Sequence, residues 1–143
     1  MKLGIEESVL VLGVGQFIYR KGWDILLKAM VNVPENTALC IVGGKNTEEY
    51  DNIIKENGLK HTYFKEFMGS EKLAEYYKVA DLFVLPTRED IWGLVVNEAM
   101  NFGLPVITTA SCVAGLELVQ EGKNGYLIED IDSACLLYTS DAA

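Results

Sequence analysis

Short apolar runs rich in β-branched residues alternate with amphipathic stretches along most of this chain. The runs that predict strands lie at residues 9–15, 38–44, 61–67, 81–86, 105–109 and, more briefly, 126–128. A strand buried on both faces of a sheet is apolar at nearly every position, and helices separate these runs. The order βαβαβαβαβ therefore predicts an α/β fold with a Rossmann-like doubly wound parallel sheet. In such a sheet, ligands bind in the crevice beyond the carboxyl ends of the strands.

The amphipathic stretches carry helix start and stop signals. Apolar residues at helical spacing follow Lys21-Gly22, and a helix over residues 93–103 is closed by Gly103. Thr47 is predicted to cap a helix over residues 48–57 that Gly58 ends, and Ser70 to cap one over 71–80. These boundaries place a loop directly after each strand.

The charge balance limits the kinds of partner. The chain has 12 Lys and Arg against 21 Asp and Glu, a net charge of −9, so it has no general attraction for nucleic acid or anionic membrane. No apolar run reaches the roughly 18 to 20 residues that span a bilayer, and the N-terminus does not resemble a signal peptide. We expect a cytoplasmic domain that binds any anionic ligand through local groups. The three cysteines form no CxxC pair, and Cys40 is interpreted as a small buried hydrophobe.

Glycines and cations follow the first two strands. In residues 13–22, Gly15 permits close approach of the backbone to a ligand, and Arg20 and Lys21 follow it. The segment is neither the dinucleotide fingerprint nor a P-loop. It is therefore a candidate anion site or, alternatively, a turn with two solvated cations. Gly44 ends a second such loop, which suits a nucleotide but is also common in tight turns.

Two acids, Asp90 and Glu98, have seven residues between them and flank the start of a helix predicted to begin near Gly93. Free N–H groups at a helix start bind anions, so a phosphate is expected there. Glu98 lies about 8 Å further along the helix, at about 1.5 Å per residue. The two carboxylates then accept hydrogen bonds from hydroxyls on either side of the phosphate. Because Val95, Val96, Ala99 and Met100 flank Glu98, its carboxylate is expected to need a partner. The alternative is an ordinary helix-start acid and a solvated helical residue.

Four segments in this order resemble the nucleotide-sugar-binding C-terminal half of a family 4 glycosyltransferase of the GT-B fold. They are residues 13–22, residues 81–109, the stretch with Gly115, Leu116 and Glu117, and residues 121–128. The resemblance covers about residues 3–132 and implies a donor-binding domain at 1–132. It further implies that the chain is a fragment without its N-terminal acceptor domain. The character of the sequence changes abruptly at residues 133–143, which are expected to be a tail outside the native structure.

The resemblance also implies roles for individual residues. Asp90 would contact the donor sugar, Glu98 the ribose hydroxyls and Lys21 the diphosphate, and these three are the candidate catalytic residues. Gln16 stands where the family usually has arginine, so Arg20 or Arg88 is expected to supply the second cation. The nucleobase is expected near residues 63–67. The remaining candidate donor-binding residues are Gly15, Gly44, Phe64 and, through the backbone, Trp92, Gly93, Leu94 and Val95.

The implied reaction is transfer of a sugar from a nucleotide-diphosphate sugar to an acceptor with retention of configuration. Neither a metal nor a resident cofactor is expected. The Asp130-Ile131-Asp132 triplet has a metal-site spacing but lacks the strand context, and the single histidine, His61, is interpreted as structural. Two alternatives remain open, namely a non-catalytic nucleotide-sugar binding module and a GT-B nucleotide-sugar epimerase. Without an acceptor domain, the chain is expected to bind its donor and transfer nothing.

Overall fold

The structure, a computed structural model, describes residues 9–88, 94–109, 112–120 and 122–128. Strands and helices alternate through these ranges, as the sequence predicts. The strands are β1 Val9–Val14, β2 Thr37–Val42, β3 Thr62–Lys65, β4 Leu82–Leu85, β5 Val106–Thr109 and β6 Gly125–Ile128. The helices are α1 Trp23–Ala29, α2 Glu48–Asn57, α3 Ser70–Val79, α4 Leu94–Asn101 and α5 Val113–Leu118.

All the strand pairs are parallel, and the strand order is β3-β2-β1-β4-β5-β6. In β1, Leu12 pairs with Cys40 of β2 on one side and with Phe83 of β4 on the other. From β1 the chain winds outward to β3, and from β4 it winds outward in the opposite direction. The point of reversal is between β1 and β4, where doubly wound sheets bind ligands. The predicted Rossmann-like fold is confirmed.

The core lies on both faces of the central strands. Every residue of β2 is buried, and Cys40 has no exposed surface, as predicted for a small buried hydrophobe. Burial raises the pKa of its thiol to about 12. Right-handed crossovers place α1 and α2 on one face of the sheet and α3, α4 and α5 on the other. Contacts of α1 with α2 and of α4 with α5 agree with this arrangement.

The structure confirms the predicted cap and end of α2 but not the predicted cap of α3. The Thr47 hydroxyl accepts a hydrogen bond from the Tyr50 N–H at 3.2 Å, and Gly58 ends α2 in the left-handed conformation. The predicted cap at Ser70 is wrong, because α3 begins one residue earlier. Gly69 is the N-cap, and its carbonyl accepts the Leu73 N–H at 3.0 Å.

Helix α5 was not predicted, since it has only six residues and contains Gly115, a poor helix former. Within the described ranges, no helix is both long and apolar enough to cross a membrane. The Asp130-Ile131-Asp132 triplet lies outside the described residues.

Candidate functional site

The loops that follow β1 and β4 are bonded to each other at the point where the sheet reverses. The Arg20 carbonyl accepts two hydrogen bonds, from the Thr87 hydroxyl at 3.1 Å and from the Arg88 N–H at 2.7 Å. Thr87 is fully buried. Two loops that are distant in sequence therefore form one edge at the carboxyl ends of β1 and β4.

Trp23, the first residue of α1, holds the other end of the β1–α1 loop. Its indole N–H donates to the Gln16 carbonyl at 2.8 Å, and its side chain has no exposed surface. A Cβ at Gly13 would lie 2.7 Å from the Trp23 ring, so the indole needs glycine beneath it. The Gln16 side chain itself is exposed.

Gly22 lies at the end of this loop and touches the β4–α4 loop. Its φ angle is 75°, in the left-handed region that favours glycine. A Cβ there would also clash with the carbonyl oxygen of Pro86. The close approach of the two loops therefore depends on the missing side chain.

Arg88 is held by an ion pair at this edge. Its guanidinium donates to both carboxylate oxygens of Asp24, each at 2.8 Å, and to the Tyr19 carbonyl at 2.7 Å. It also lies over the Tyr19 ring, 3.8 Å from the centroid. Burial raises the pKa of Asp24, but the hydrogen bonds and charge of Arg88, together with hydrogen bonds from the backbone N–H groups of Asp24 and Ile25, hold that pKa below its ordinary value.

This ion pair bears on whether Arg88 or Arg20 is the better candidate for the second cation expected at the diphosphate. The hydrogen bonds to Asp24 raise the pKa of Arg88, whose charge is neutralised within the protein. The Arg20 side chain, in contrast, is exposed, while its carbonyl anchors the neighbouring loop. Of the two arginines that the sequence offered, Arg20 has the more exposed side chain.

Lys21 lies along the end of β1. Its side chain is half-buried and passes over Gly15, where a Cβ would lie 3.5 Å from the lysine Cδ and 3.6 Å from Cε. The aliphatic part of the lysine therefore lies within van der Waals distance of the Gly15 position.

The glycine pair after β2 packs against the same loop. A Cβ at Gly43, which has a φ angle of 140°, would clash with the Gly15 carbonyl oxygen. A Cβ at Gly44 would lie 3.0 Å from the Phe17 ring. Both glycines therefore allow the β1 and β2 loops to pack closely, and Gly44 contacts an aromatic ring.

Phe64 of β3 belongs to an aromatic cluster with Phe17 and Tyr50. Its ring centroid lies 5.5 Å from that of Phe17 and 6.3 Å from that of Tyr50. Its side chain therefore packs against the hydrophobic core. Phe67, two residues after β3, is 85% exposed and ends the segment where the nucleobase was expected.

Glu98 lies on the side of α4 that faces α3. Its Oε2 accepts a hydrogen bond from the Tyr77 hydroxyl at 3.0 Å, so the carboxylate has a partner as expected. The enclosing apolar environment expected from its neighbours is not found, because Glu98 is exposed. On α4, Val96 and Ala99 face the core, whereas Leu94 is 66% exposed. The carboxylate is therefore accessible to a ligand.

Three residues of the predicted donor site, Asp90, Trp92 and Gly93, lie outside the described residues. Leu94 and Val95 open the described part of α4 and directly follow them in the chain. The first N–H groups of a helix lack intrahelical acceptors. The placement of Leu94 and Val95 is thus compatible with the predicted anion contacts through the backbone.

Sequence reasoning missed two buried threonines that support the edge. The Thr109 hydroxyl donates to the Thr87 carbonyl at 2.6 Å and joins the end of β5 to the β4–α4 loop. Thr87 in turn holds the β1–α1 loop through Arg20. In the sequence, the feature that could have identified these residues is a threonine within, or directly after, an apolar run that predicts a strand.

Two open pockets among the described residues lie away from the joined loops. One of about 250 Å³ is lined by residues before β2 and β3, including Glu35 and Lys60, and another of about 280 Å³ by residues before β5 and β6, including Pro105 and Asn124. Both are at the amino ends of the strands. They lie at the opposite end of the sheet from the joined loops.

The strand order and the joined loops define a class of protein: a doubly wound α/β domain whose loops meet at the β1–β4 reversal, where such folds bind ligands. The sequence profile of the family described as "Glycosyl transferases group 1" matches residues 2–136. The chain belongs to this family of glycosyl transferases.

Curated relatives support the assignment. Lipopolysaccharide glucosyltransferase WaaG of Escherichia coli strain K12 is 35% identical over 117 residues, which cover 78% of this chain and 31% of WaaG. The chain spans about a third of the length of the curated relatives it matches.

Solved structures show which domain of a glycosyl transferase this chain resembles. The structure of HepE from Anabaena in complex with UDP and glucose has a TM-score of 0.86 and 26% identity, and the match covers 95% of this chain and 38% of HepE. The C-terminal domain of a group 1 glycosyl transferase, LpcC from Francisella tularensis, has a TM-score of 0.85 at 23% identity, which shows the shared fold. That match covers 96% of this chain and 75% of the LpcC chain. The six-stranded sheet thus matches the C-terminal domain of GT-B glycosyltransferases.

Proposed function

We propose that this domain binds a nucleotide-diphosphate sugar in the crevice between β1 and β4 and serves as the donor half of a glycosyltransferase. The observation that carries the proposal is the joined edge, where the Arg20 carbonyl holds the β4–α4 loop against the β1–α1 loop. This edge lies at the sheet reversal, the usual ligand site of such folds. The likeness to HepE in complex with UDP and glucose supports this ligand class.

Lys21 and the start of α4 are proposed to bind the diphosphate. When the bond between sugar and diphosphate breaks, negative charge grows on the leaving phosphate. A positioned ammonium and backbone N–H groups stabilise that charge more in the transition state than in the ground state. We assign these contacts to Lys21 and to the N–H groups of Leu94 and Val95. Arg20, whose side chain is exposed, supplies the second cation.

The acids are proposed to bind the two rings of the donor. Asp90 accepts hydrogen bonds from the sugar, and Glu98 accepts them from the ribose. The exposed Glu98 carboxylate is compatible with this role. In the whole protein, a second domain would bind the acceptor, and the sugar would be transferred with retention in the cytoplasm. The configuration of the product, measured by proton NMR with the full-length protein, tests retention.

Thermal unfolding in the presence of candidate donors tests the binding proposal. UDP-glucose, UDP-N-acetylglucosamine, GDP-mannose and ADP-glucose are compared with glucose and with the nucleosides. A ligand that binds only the folded state at 100 times its Kd stabilises by about 2.7 kcal/mol. We expect at least one nucleotide-sugar to raise the Tm while glucose and the nucleosides leave it unchanged. No change with an extended panel of nucleotide-sugars would refute the proposal.

A further inference from the structure

The hydroxyl of Tyr77 is held in one place by its surroundings. The side chain is 2% exposed. Its ring stacks on Phe102, with centroids 5.3 Å apart and planes 11° apart, and packs against Phe83 at 6.0 Å. A phenol enclosed by two rings cannot swing into water. Its hydroxyl therefore keeps a fixed direction, towards Glu98 Oε2 at 3.0 Å.

Glu98 has the opposite character. Its side chain is exposed, and an exposed glutamate samples several rotamers whose loss costs up to about 1.5 to 2 kcal/mol. The hydrogen bond from Tyr77 engages Oε2. Among the described residues, no protein group donates to Oε1. One oxygen is thus anchored by a rigid donor while the other is available to a ligand.

The proton of this pair stays on the phenol. Burial, followed by the negative charge of Glu98 and the hydrogen bond to it, raises the pKa of Tyr77 far above neutral pH. The hydroxyl therefore remains a donor at neutral pH, and Glu98 Oε2 accepts its hydrogen bond. A carboxylate fixed as an acceptor matches the hydroxyls of a ribose.

We propose that Tyr77 is a positioning residue that orients the Glu98 carboxylate for the ribose hydroxyls of the nucleotide. The inference rests on the proposed function, because it deepens the role of Glu98 in the donor site. A carboxylate already held in place loses less conformational entropy when the ligand binds. Tyr77 therefore contributes to affinity without touching the ligand.

A purely structural bond has a different consequence. If Glu98 only satisfied the buried phenol, removal of the hydroxyl would change the stability of the fold but would not distinguish a ribose from a sugar that lacks its hydroxyls. The ribose hydroxyls are therefore the feature to vary in the ligand.

The test is calorimetric titration of Tyr77→Phe with UDP, GDP and ADP, each paired with its 2′,3′-dideoxy analogue. Phenylalanine keeps the packing against Phe83 and Phe102, and denaturant unfolding checks that the variant folds. The matched control is Tyr76→Phe, which removes a phenol from the adjacent buried position. Glu98→Ala and the double variant Tyr77→Phe/Glu98→Ala complete a thermodynamic cycle.

We expect Tyr77→Phe to weaken the nucleotide that the wild type binds by about 3- to 10-fold and its dideoxy analogue by less than twofold. Tyr76→Phe should change neither, and the double variant should bind no worse than Glu98→Ala. Equal affinity for Tyr77→Phe and wild type, or equal loss for both forms of the nucleotide, would overturn the positioning role alone. Failure of the wild type to bind any of the three nucleotides would overturn the proposed function and this inference together.

Discussion

At the scale of single residues, the cations at the carboxyl ends of β1 and β4 have different roles. Lys21 passes over Gly15, and Arg88 forms an ion pair with Asp24 in which the two side chains are 22% and 14% exposed. The sequence could place each cation after a strand. It could not show that Arg88 forms an ion pair, because its partner Asp24 lies on α1, 64 residues away in the sequence.

The Asp24–Arg88 pair predicts a pH-dependent contribution to stability. Because the folded pKa of Asp24 lies below its ordinary value of 3.8, the contribution is present above that value and is lost as the pH falls through the folded pKa. At pH 7 we expect Asp24→Ala to lower the unfolding free energy by about 1.5 to 3 kcal/mol, as for hydrogen bonds to charged groups. In urea unfolding, the difference should shrink as the pH falls below 3.8.

A matched control is available in α2. Asp51 pairs with Lys55 at 2.9 Å, but the two side chains are much more exposed. Asp51→Ala should cost about 0.3 to 0.5 kcal/mol, the range for helix pairs spaced by four residues. A stability difference for Asp24→Ala that does not change with pH would contradict the assigned cause.

At the scale of elements, the sequence predicted most of the strands and helices and misplaced features that depend on neighbours. The apolar runs located the strands because burial on both faces leaves few polar positions. Thr47 and Gly58 were predicted because capping is local. Ser70 was misplaced because the preceding Gly69 carbonyl starts the helix. Helix α5 depends on packing against α4 and carries little periodic signal of its own.

Two glycines test how the loops are joined. Gly22 and Gly58 both have positive φ angles, 75° and 64°, but a Cβ would clash with the Pro86 carbonyl only at Gly22. At Gly58 a Cβ meets nothing within 4 Å. Gly58→Ala should therefore cost only the left-handed backbone, about 1 to 2 kcal/mol.

Gly22→Ala should cost that amount plus the displacement of the β4–α4 loop. Denaturant midpoints measured for both variants at constant m value make the comparison. We expect the larger loss for Gly22→Ala, together with weaker nucleotide binding. Equal destabilisation of the two variants would mean that the close approach of the loops contributes nothing.

At the scale of the whole molecule, the alternation of elements predicted the doubly wound sheet because few topologies satisfy short, right-handed connections. The candidate site was only partly accessible to such reasoning. The carboxyl-end position of Lys21, Gly15 and Gly44 follows from strand order. The hydrogen bond from Tyr77 to Glu98 does not, because it joins side chains of two different helices, α3 and α4, that are 21 residues apart in the sequence.

The domain carries a net charge of −9 and yet is proposed to hold a diphosphate, so the proposed binding depends on cations close to the phosphates. Among these cations, Lys21 is proposed to contribute most to diphosphate binding. Lys28, exposed in the last turn of α1, provides a control with the same change in net charge at the other end of that helix.

Calorimetric titration of wild type, Lys21→Ala and Lys28→Ala with the nucleoside diphosphate of the best donor tests the central claim. We expect Lys21→Ala to weaken binding about tenfold or more, since a charge-assisted hydrogen bond contributes about 1.5 to 3 kcal/mol. Lys28→Ala should remain within about twofold of the wild type, a difference of about 0.4 kcal/mol. Equal affinities for wild type and Lys21→Ala would contradict the claim that this lysine holds the diphosphate.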